Sequence, residues 1–194
     1  MARASAAGRV ALEFSDGQLV EEALRGSAVA FERLVARYER LVFKVAFSST
    51  GERESAMDIM QNVFFKVYRN LTGYRTEGNF KNWIARITMN ESVNWARSQK
   101  RHRAEELDAA MPVPSPPAQE GSVRDREAWE LIKKSMMTLK PLYSTAVALR
   151  YFEGMSIQEI ADTLGCKEGT VKSMIFRSLQ EMKLNMGVSK EEAL

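Results

Sequence analysis

Cysteine and histidine are nearly absent: the 194-residue chain has one of each, Cys166 and His102. A single thiol excludes a disulfide framework and a cysteine-bound zinc cage, and it fits a reducing compartment. His102 stands in a run of arginines and Cys166 between two helical patterns. Neither has a neighbour in sequence to act as base or orienting partner, so catalytic residues, metal ligands and cofactors are all expected to be none. Cys166 reads either as a small buried turn residue or as a redox switch. Phosphate-binding loops and metal-ligand spacings are missing, and with them the signs of a small-molecule substrate. No apolar run is long enough to span a bilayer, so no membrane insertion is expected. The opening MARASAAGRV carries cations but no apolar core of a signal peptide, which predicts a cytoplasmic protein. Charge of one sign is also scarce, with a net of only +3. Any nucleic-acid site must therefore come from local clustering. Proline is confined: four of the five lie in Met111-Pro-Val-Pro-Ser-Pro-Pro117.

What is present is helical periodicity. Residues 1–14 read as a frayed tail. Ser15 or Asp16 caps a short helix through Leu24, stopped at Gly26. Ser27 caps a long one, with Phe31, Leu34, Val35, Tyr38, Leu41, Val42 and Val45 on its apolar face. A third helix, about 53–71, has a predicted buried stripe of Met57, Met60, Val63, Phe64, Val67 and Leu71. On its far side Phe65 sits among Asp58, Asn62 and Lys66, as a single exposed apolar residue or as a partner-facing anchor. Leu71–Gly78 reads as a loop, followed by a helix from about Asn79 to Lys100. Along that helix Trp83, Arg86, Asn90, Asn94 and Arg97 fall on one stripe. Indole, amides and cations together suit single-stranded or partly melted nucleic acid, where rings stack on bases and cations hold phosphates. The alternatives are a core tryptophan and a basic end that complements the helix dipole. Glu91, near the apolar side, fits neither reading.

Residues 104–124 change character into an extended, semi-stiff linker. About 20 residues at ~3.1 Å each span up to ~60 Å, close to two turns of DNA at ~34–36 Å per turn. Beyond it, Trp129, Ile132, Met136 and Leu139 give a helix ended by Pro141, and another runs through Ala146, Leu149 and Phe152 to Gly154. Ser156 and Glu159 then form a capping-box pair before Ile157, Ile160, Ala161 and Leu164. Gly165-Cys166 breaks the period, and Val171, Ile175, Leu179 and Met182 start another. This is a helix-turn-helix pattern. The second helix of such a motif lies in the major groove; its polar side here holds Lys167, Thr170, Lys172, Ser173, Arg177 and Gln180. An ordinary amphipathic hairpin with a solvated cationic face is the plainer reading.

Four segments in order, AFERLVARYERLVFKVA, DIMQNVFFKVYRNL, FKNWIARITMNESVNWAR and GMSIQEIADTLGCKEGTVKSMIFRSL, resemble the bacterial extracytoplasmic-function (ECF, group IV) sigma factors of the sigma-70 family. The resemblance covers roughly residues 16–186. It implies an all-α chain: a sigma region 2 helical bundle at 15–103, a flexible linker at 104–124, a sigma region 4 helix-turn-helix at 125–186 and a tail at 187–194. It further implies docking on core RNA polymerase through Asp58, Gln61, Phe64 and Phe65. Reading and melting of the −10 element of promoter DNA is implied for Lys66, Tyr74, Arg75, Trp83, Arg86, Asn90, Asn94 and Arg97. Reading of the −35 duplex is implied for Lys167, Thr170, Lys172, Ser173 and Arg177. An anti-sigma factor is an implied partner. The sequence departs from the family at Asn62, where an acidic residue is usual, and at Met174, where an arginine is. Loss of that arginine is expected to remove a DNA contact, with Arg177 taking over part of its role. The competing expectation is a stand-alone helix-turn-helix regulator, whose N-terminal half should be an effector domain with a ligand or phosphoacceptor site, usually with strands.

Overall fold

The computed structural model describes residues 14–74, 79–105 and 123–187, the side chains of 102–105 and 123–127 aside. The described residues form eight α-helices and one 3₁₀ turn, and no strand. The expected linker lies largely outside them, as does Arg75.

Local signals set the helix ends. α1 (Asp16–Leu24) begins at Ser15, whose hydroxyl accepts from the Gln18 amide while the Gln18 side chain accepts from the Ser15 amide at 2.8 Å. Two of the orphan donors of the first turn are thereby satisfied. α2 (Ala28–Thr50) is capped by Ser27 and stopped by Gly51 at φ +64°. α3 (Arg53–Asn70) leads into the 3₁₀ turn Leu71–Gly73, and α4 (Phe80–Glu105) follows. α5 (Val123–Thr138) ends before Pro141, which takes the first position of α6 (Pro141–Tyr151), where its missing N–H costs nothing. α7 (Ile157–Leu164) and α8 (Glu168–Asn185) make the helix-turn-helix.

α2 is the axis of the packing. It lies against α1, α3 and α4, and on its other side against α5 and α6; α4 in turn touches α6 and α7. One continuous apolar cluster, from Leu19 to Met182, joins the two groups of helices. The two halves expected at either end of a linker are therefore in direct contact. At the end of α2, Gly51 has room only for hydrogen, since a Cβ there would overlap the Met137 side chain of α5. Asp16 ties α1 to α2 by accepting from Arg37 at 2.5 Å and from the Tyr38 hydroxyl.

Three expected core positions are more open than periodicity suggested. Met57, Trp129 and Leu179 are exposed, while Ala56, Ile59, Met174 and Ser178 fill the faces they were assigned to. A small rotation of each buried stripe accounts for this. Ser178 enters the core because its hydroxyl donates to the Met174 carbonyl at 2.8 Å, so no polar group is left unpaired.

Candidate polymerase and nucleic-acid interfaces

The outer face of α3 carries Asp58, Gln61 and Phe65 in the open, with Asn62 exposed beside them. Phe64 turns the other way and packs half-buried on the core, on the apolar stripe expected of it. The exposed row gains two members that sequence reading missed, Met57 and Tyr68. Asp58, Gln61, Phe65 and Tyr68 recur at helical spacing, and that was the available signal. Phe65 and Tyr68 are 59% and 63% exposed, large rings held in water on a rigid helix. Arg69 covers the Phe65 ring at 5.6 Å, and Phe31 meets Tyr68 edge-on at 5.1 Å.

Between α3 and α4 runs a polar groove lined by Lys66, Asn70, Ile87, Asn90, Glu91, Asn94 and Arg97. Lys66 and Glu91 pair at 2.5 Å across it, which explains the acid that the helical pattern left without a role. Lys66, Asn90, Asn94 and Arg97 are thus brought together: two cations and two amides around one concave surface.

Tyr74 and Trp83 are not part of that groove. They stack into an aromatic cluster with buried Phe80, with ring separations of 5.1 Å for Tyr74–Trp83, 5.2 Å for Tyr74–Phe80 and 5.4 Å for Phe80–Trp83. Tyr38 reaches the same cluster at 5.2 Å from Phe80. Burial pushes both phenols above their ordinary value, and the hydrogen bond to Asp16 adds to this at Tyr38. Both rings are accordingly neutral at physiological pH. Arg86 leaves the stripe altogether: its Nε donates to the Thr163 carbonyl of α7 at 2.8 Å, and its Nη2 to the Asp162 carbonyl. The single stripe expected on α4 is therefore three environments, because α3, α7 and the 3₁₀ turn each cover a different part of the helix.

The helix-turn-helix forms as its sequence signals predict. Ser156 and Glu159 exchange both capping hydrogen bonds, at 2.8 and 3.1 Å. Hydrogen bonding to its carboxylate, from the Ser156 amide first and the Ser156 hydroxyl second, holds the Glu159 carboxyl below its ordinary value. Gly165 adopts φ +66°, which turns the chain toward α8, and Cys166 is half-buried in the turn. Lys167 sits at the N-cap of α8, and Thr170, Lys172, Ser173 and Arg177 are exposed along it. Ser173 donates to the Gly169 carbonyl at 2.9 Å, and Glu168 lies 3.7 Å from Lys172. Met174 is buried, so at this departure the side chain packs inside the helix-turn-helix. The residue missed on this face is Phe176, 64% exposed between Lys172, Ser173, Arg177 and Gln180. Its place one turn from Lys172 was the signal. Among the described residues no group of His, Cys, Asp and Glu is arranged to hold a metal ion, and no helix is long and apolar enough to cross a membrane.

Comparison with known proteins matches these two halves in order. Residues 34–102 match Sigma-70 region 2, and residues 129–182 match Sigma-70, region 4. The chain is 31% identical to the ECF RNA polymerase sigma-E factor of Haemophilus influenzae over 180 residues, 87% of this chain and 94% of that protein. It is likewise 31% identical to the RNA polymerase sigma-H factor of Pseudomonas aeruginosa over 175 residues, 84% and 89% of the two chains. Among solved structures, the fold is similar to the sigma factor RpoE of Bartonella quintana, crystallised with the anti-sigma factor NepR. That match has a TM-score of 0.69 at 23% identity and covers 82% of this chain and 98% of that one. It is also similar to CnrH in complex with the cytosolic domain of CnrY, with a TM-score of 0.65 at 21% identity, covering 90% and 98%.

The chain belongs to the ECF RNA polymerase sigma factors, transcription initiation factors that direct the polymerase to promoters. The N-terminal half that a stand-alone regulator would devote to an effector domain is sigma region 2, which sets that alternative aside.

Proposed function

We propose that this chain, a group IV member of the sigma-70 family acting in the cytoplasm, docks on core RNA polymerase through the exposed row Asp58, Gln61 and Phe65 of α3. Tyr68 extends that row and Phe64 supports it from behind. Large rings standing in water on a rigid helix are what a partner's apolar pocket buries with most gain. Lys66, Asn90, Asn94 and Arg97 take the opened −10 strand, the cations on phosphates and the amides on base edges. Binding energy for the unstacked strand then favours melting, with no catalytic step of the protein's own. Arg75, outside the described residues, belongs to the same reading by its place in the sequence. Tyr74 and Trp83 act from the aromatic cluster they share with Phe80.

The −35 element is read as duplex by α8. Lys167 and Lys172 approach phosphates at the helix N-terminus, while Thr170, Ser173 and Arg177 reach base edges in the major groove. An anti-sigma factor that covers these faces until a signal arrives is the partner we assign, in keeping with a role in stress-regulated transcription.

The observation that carries this reading is the presence, in one chain, of sigma regions 2 and 4, each with its own exposed cationic face. The test combines sigma-free bacterial core RNA polymerase, the purified protein and a pool of genomic promoter fragments, with sequencing of transcript 5′ ends. Discrete starts sharing two upstream elements at fixed spacing are expected. DNA binding without any transcript would return the molecule to the stand-alone regulators.

A further inference from the structure

The groove between α3 and α4 holds more hydrogen-bond acceptors than a surface built only to grip phosphates needs. Glu91 lies in its wall with its side chain 14% exposed, and Lys66 pairs with its Oε1 atom at 2.5 Å. No other described residue bonds the carboxylate, which leaves Oε2 as an acceptor without a donor. Asn70 stands in the same wall and is locked by one bond, its Nδ2 donating to the Lys66 carbonyl at 2.7 Å. Only the nitrogen of an amide can donate to a carbonyl, so the oxygen is what Asn70 has left to offer.

Asn90 and Asn94 are exposed and make no side-chain hydrogen bond to a described residue. A free amide presents either end to a base and discriminates poorly. A fixed carboxylate accepts and never donates. Ile87 and Val93, both half-buried, supply apolar wall for the face of a ring. The groove measures about 430 Å³, within the ~300–1,000 Å³ of pockets that enclose small ligands, so one unstacked nucleotide fits.

The ion pair is not there for stability alone. Lys66 is half exposed, and exposed pairs contribute little. A carboxylate beside a phosphate backbone also lowers affinity for every strand alike. Reading a base offsets that repulsion, because an acid accepts from the amino group of one base and repels the keto oxygen of another.

We propose that Glu91, with Asn70 beside it, selects the −10 base that enters this groove: one with an exocyclic amino group, cytosine or adenine, against thymine and guanine, which carry a keto oxygen at that place. The inference rests on the −10 reading above and adds to it the class of base that the groove takes. Lys66 is the positioning partner, since its hold on Oε1 fixes the carboxylate.

The test uses holoenzyme assembled from core RNA polymerase and the full chain, on promoter fragments whose −10 element is already melted by mismatch. Amino bases of the unpaired strand are exchanged for keto bases one position at a time, cytosine for uracil and adenine for hypoxanthine, so pairing energy is untouched. At one position the exchange should weaken wild-type binding about fivefold or more. In Glu91→Gln, whose amide presents donor or acceptor, that preference should disappear although affinity itself does not fall. Asn70→Ala should reduce the preference in part. Each preference is a ratio within one protein, so any loss of folded material cancels from it. Equal ratios in wild type and Glu91→Gln, or no position at which wild type prefers the amino base, would overturn the inference. The −10 reading would survive that result as long as scrambling the whole element abolishes binding. If scrambling changes nothing, the −10 reading falls and the inference falls with it.

Discussion

Lys66 of α3 and Glu91 of α4 close a 2.5 Å ion pair inside the groove assigned to the −10 strand, with the Glu91 side chain only 14% exposed. The pair sets where the lysine charge is held, and it also places a fixed negative charge beside the path of a phosphate backbone. Replacing Glu91 by Gln keeps the shape and removes that charge. Nonspecific affinity for single-stranded DNA should then rise about two- to fivefold at low salt, while thermal stability falls by about 0.5–1 kcal/mol. Fluorescence anisotropy with a labelled oligonucleotide and a melting curve read the two effects. Lys66→Ala should move affinity in the opposite direction. If both variants weaken DNA binding equally, the pair is only scaffolding.

The recognition helix offers a contrast between a cation and a ring. Arg177→Ala should weaken binding to −35 duplex and lower the slope of log affinity against log salt by about one ion. Phe176→Ala should leave that slope unchanged, because a ring neutralises no phosphate. What it removes is apolar contact, of the kind thymine methyl groups accept in the major groove. Its cost should therefore depend on sequence and vanish on a scrambled duplex. Titrations of both duplexes at several salt concentrations distinguish the two residues, and an equal loss on the scrambled duplex would place Phe176 outside the reading face.

Local rules made much of this molecule legible. The Ser156–Glu159 capping box and the Gly165 turn follow from chemistry within a few residues, and both form as the sequence indicates. The buried face of α2, Leu34, Tyr38, Leu41, Val42 and Val45, follows from the 3.6-residue repeat. Periodicity says which side of a helix is polar, but not which element covers that side. Arg86 therefore read as one more cation of a DNA-facing stripe, because its partners lie 76 and 77 residues away. Glu91 had no role until Lys66, on another helix, was opposite it. Met174 shows the same limit from the other side: the family resemblance drew attention to a DNA contact there, whereas its own apolar character matches the core it occupies.

Asn90 and Trp83 lie two turns apart on α4 and should fail in different ways. Asn90 is exposed in the groove and supports nothing, so Asn90→Ala should leave the melting temperature unchanged and −35 duplex binding intact. Promoter opening by the polymerase complex, followed by permanganate reactivity of unpaired thymines, should drop severalfold, the effect of losing about 1 kcal/mol of contact. Trp83 instead packs on Tyr74 and Phe80. Trp83→Ala should cost about 2–4 kcal/mol of stability, and with it both opening and polymerase docking. Loss of stability in the Asn90 variant would show that the amide is structural.

The capping box of α7 gives the DNA-reading end a dependence on acid. Hydrogen bonds from Ser156 hold the Glu159 carboxyl below its ordinary value of 4.5. A depressed carboxylate stabilises the fold fully above its unfolded pKa, and that contribution is lost as pH falls through the lower, folded value. Glu159→Gln retains an acceptor for the Ser156 amide but has no charge to offer the N-terminus of α7. At neutral pH the variant should be less stable by about 0.5–1 kcal/mol, the usual worth of a charged cap. As pH falls toward and through the depressed folded value the difference should shrink as the wild-type carboxyl protonates, and once that carboxyl is fully protonated the two melting temperatures should converge. Both proteins lose other carboxylates over the same range, so the quantity to follow is the difference between them. Because α7 seats the turn that starts α8, −35 duplex affinity should track that difference at neutral pH. A gap in melting temperature that stays constant from neutral to acid would mean that the Glu159 side chain works through its shape and its hydrogen bond alone.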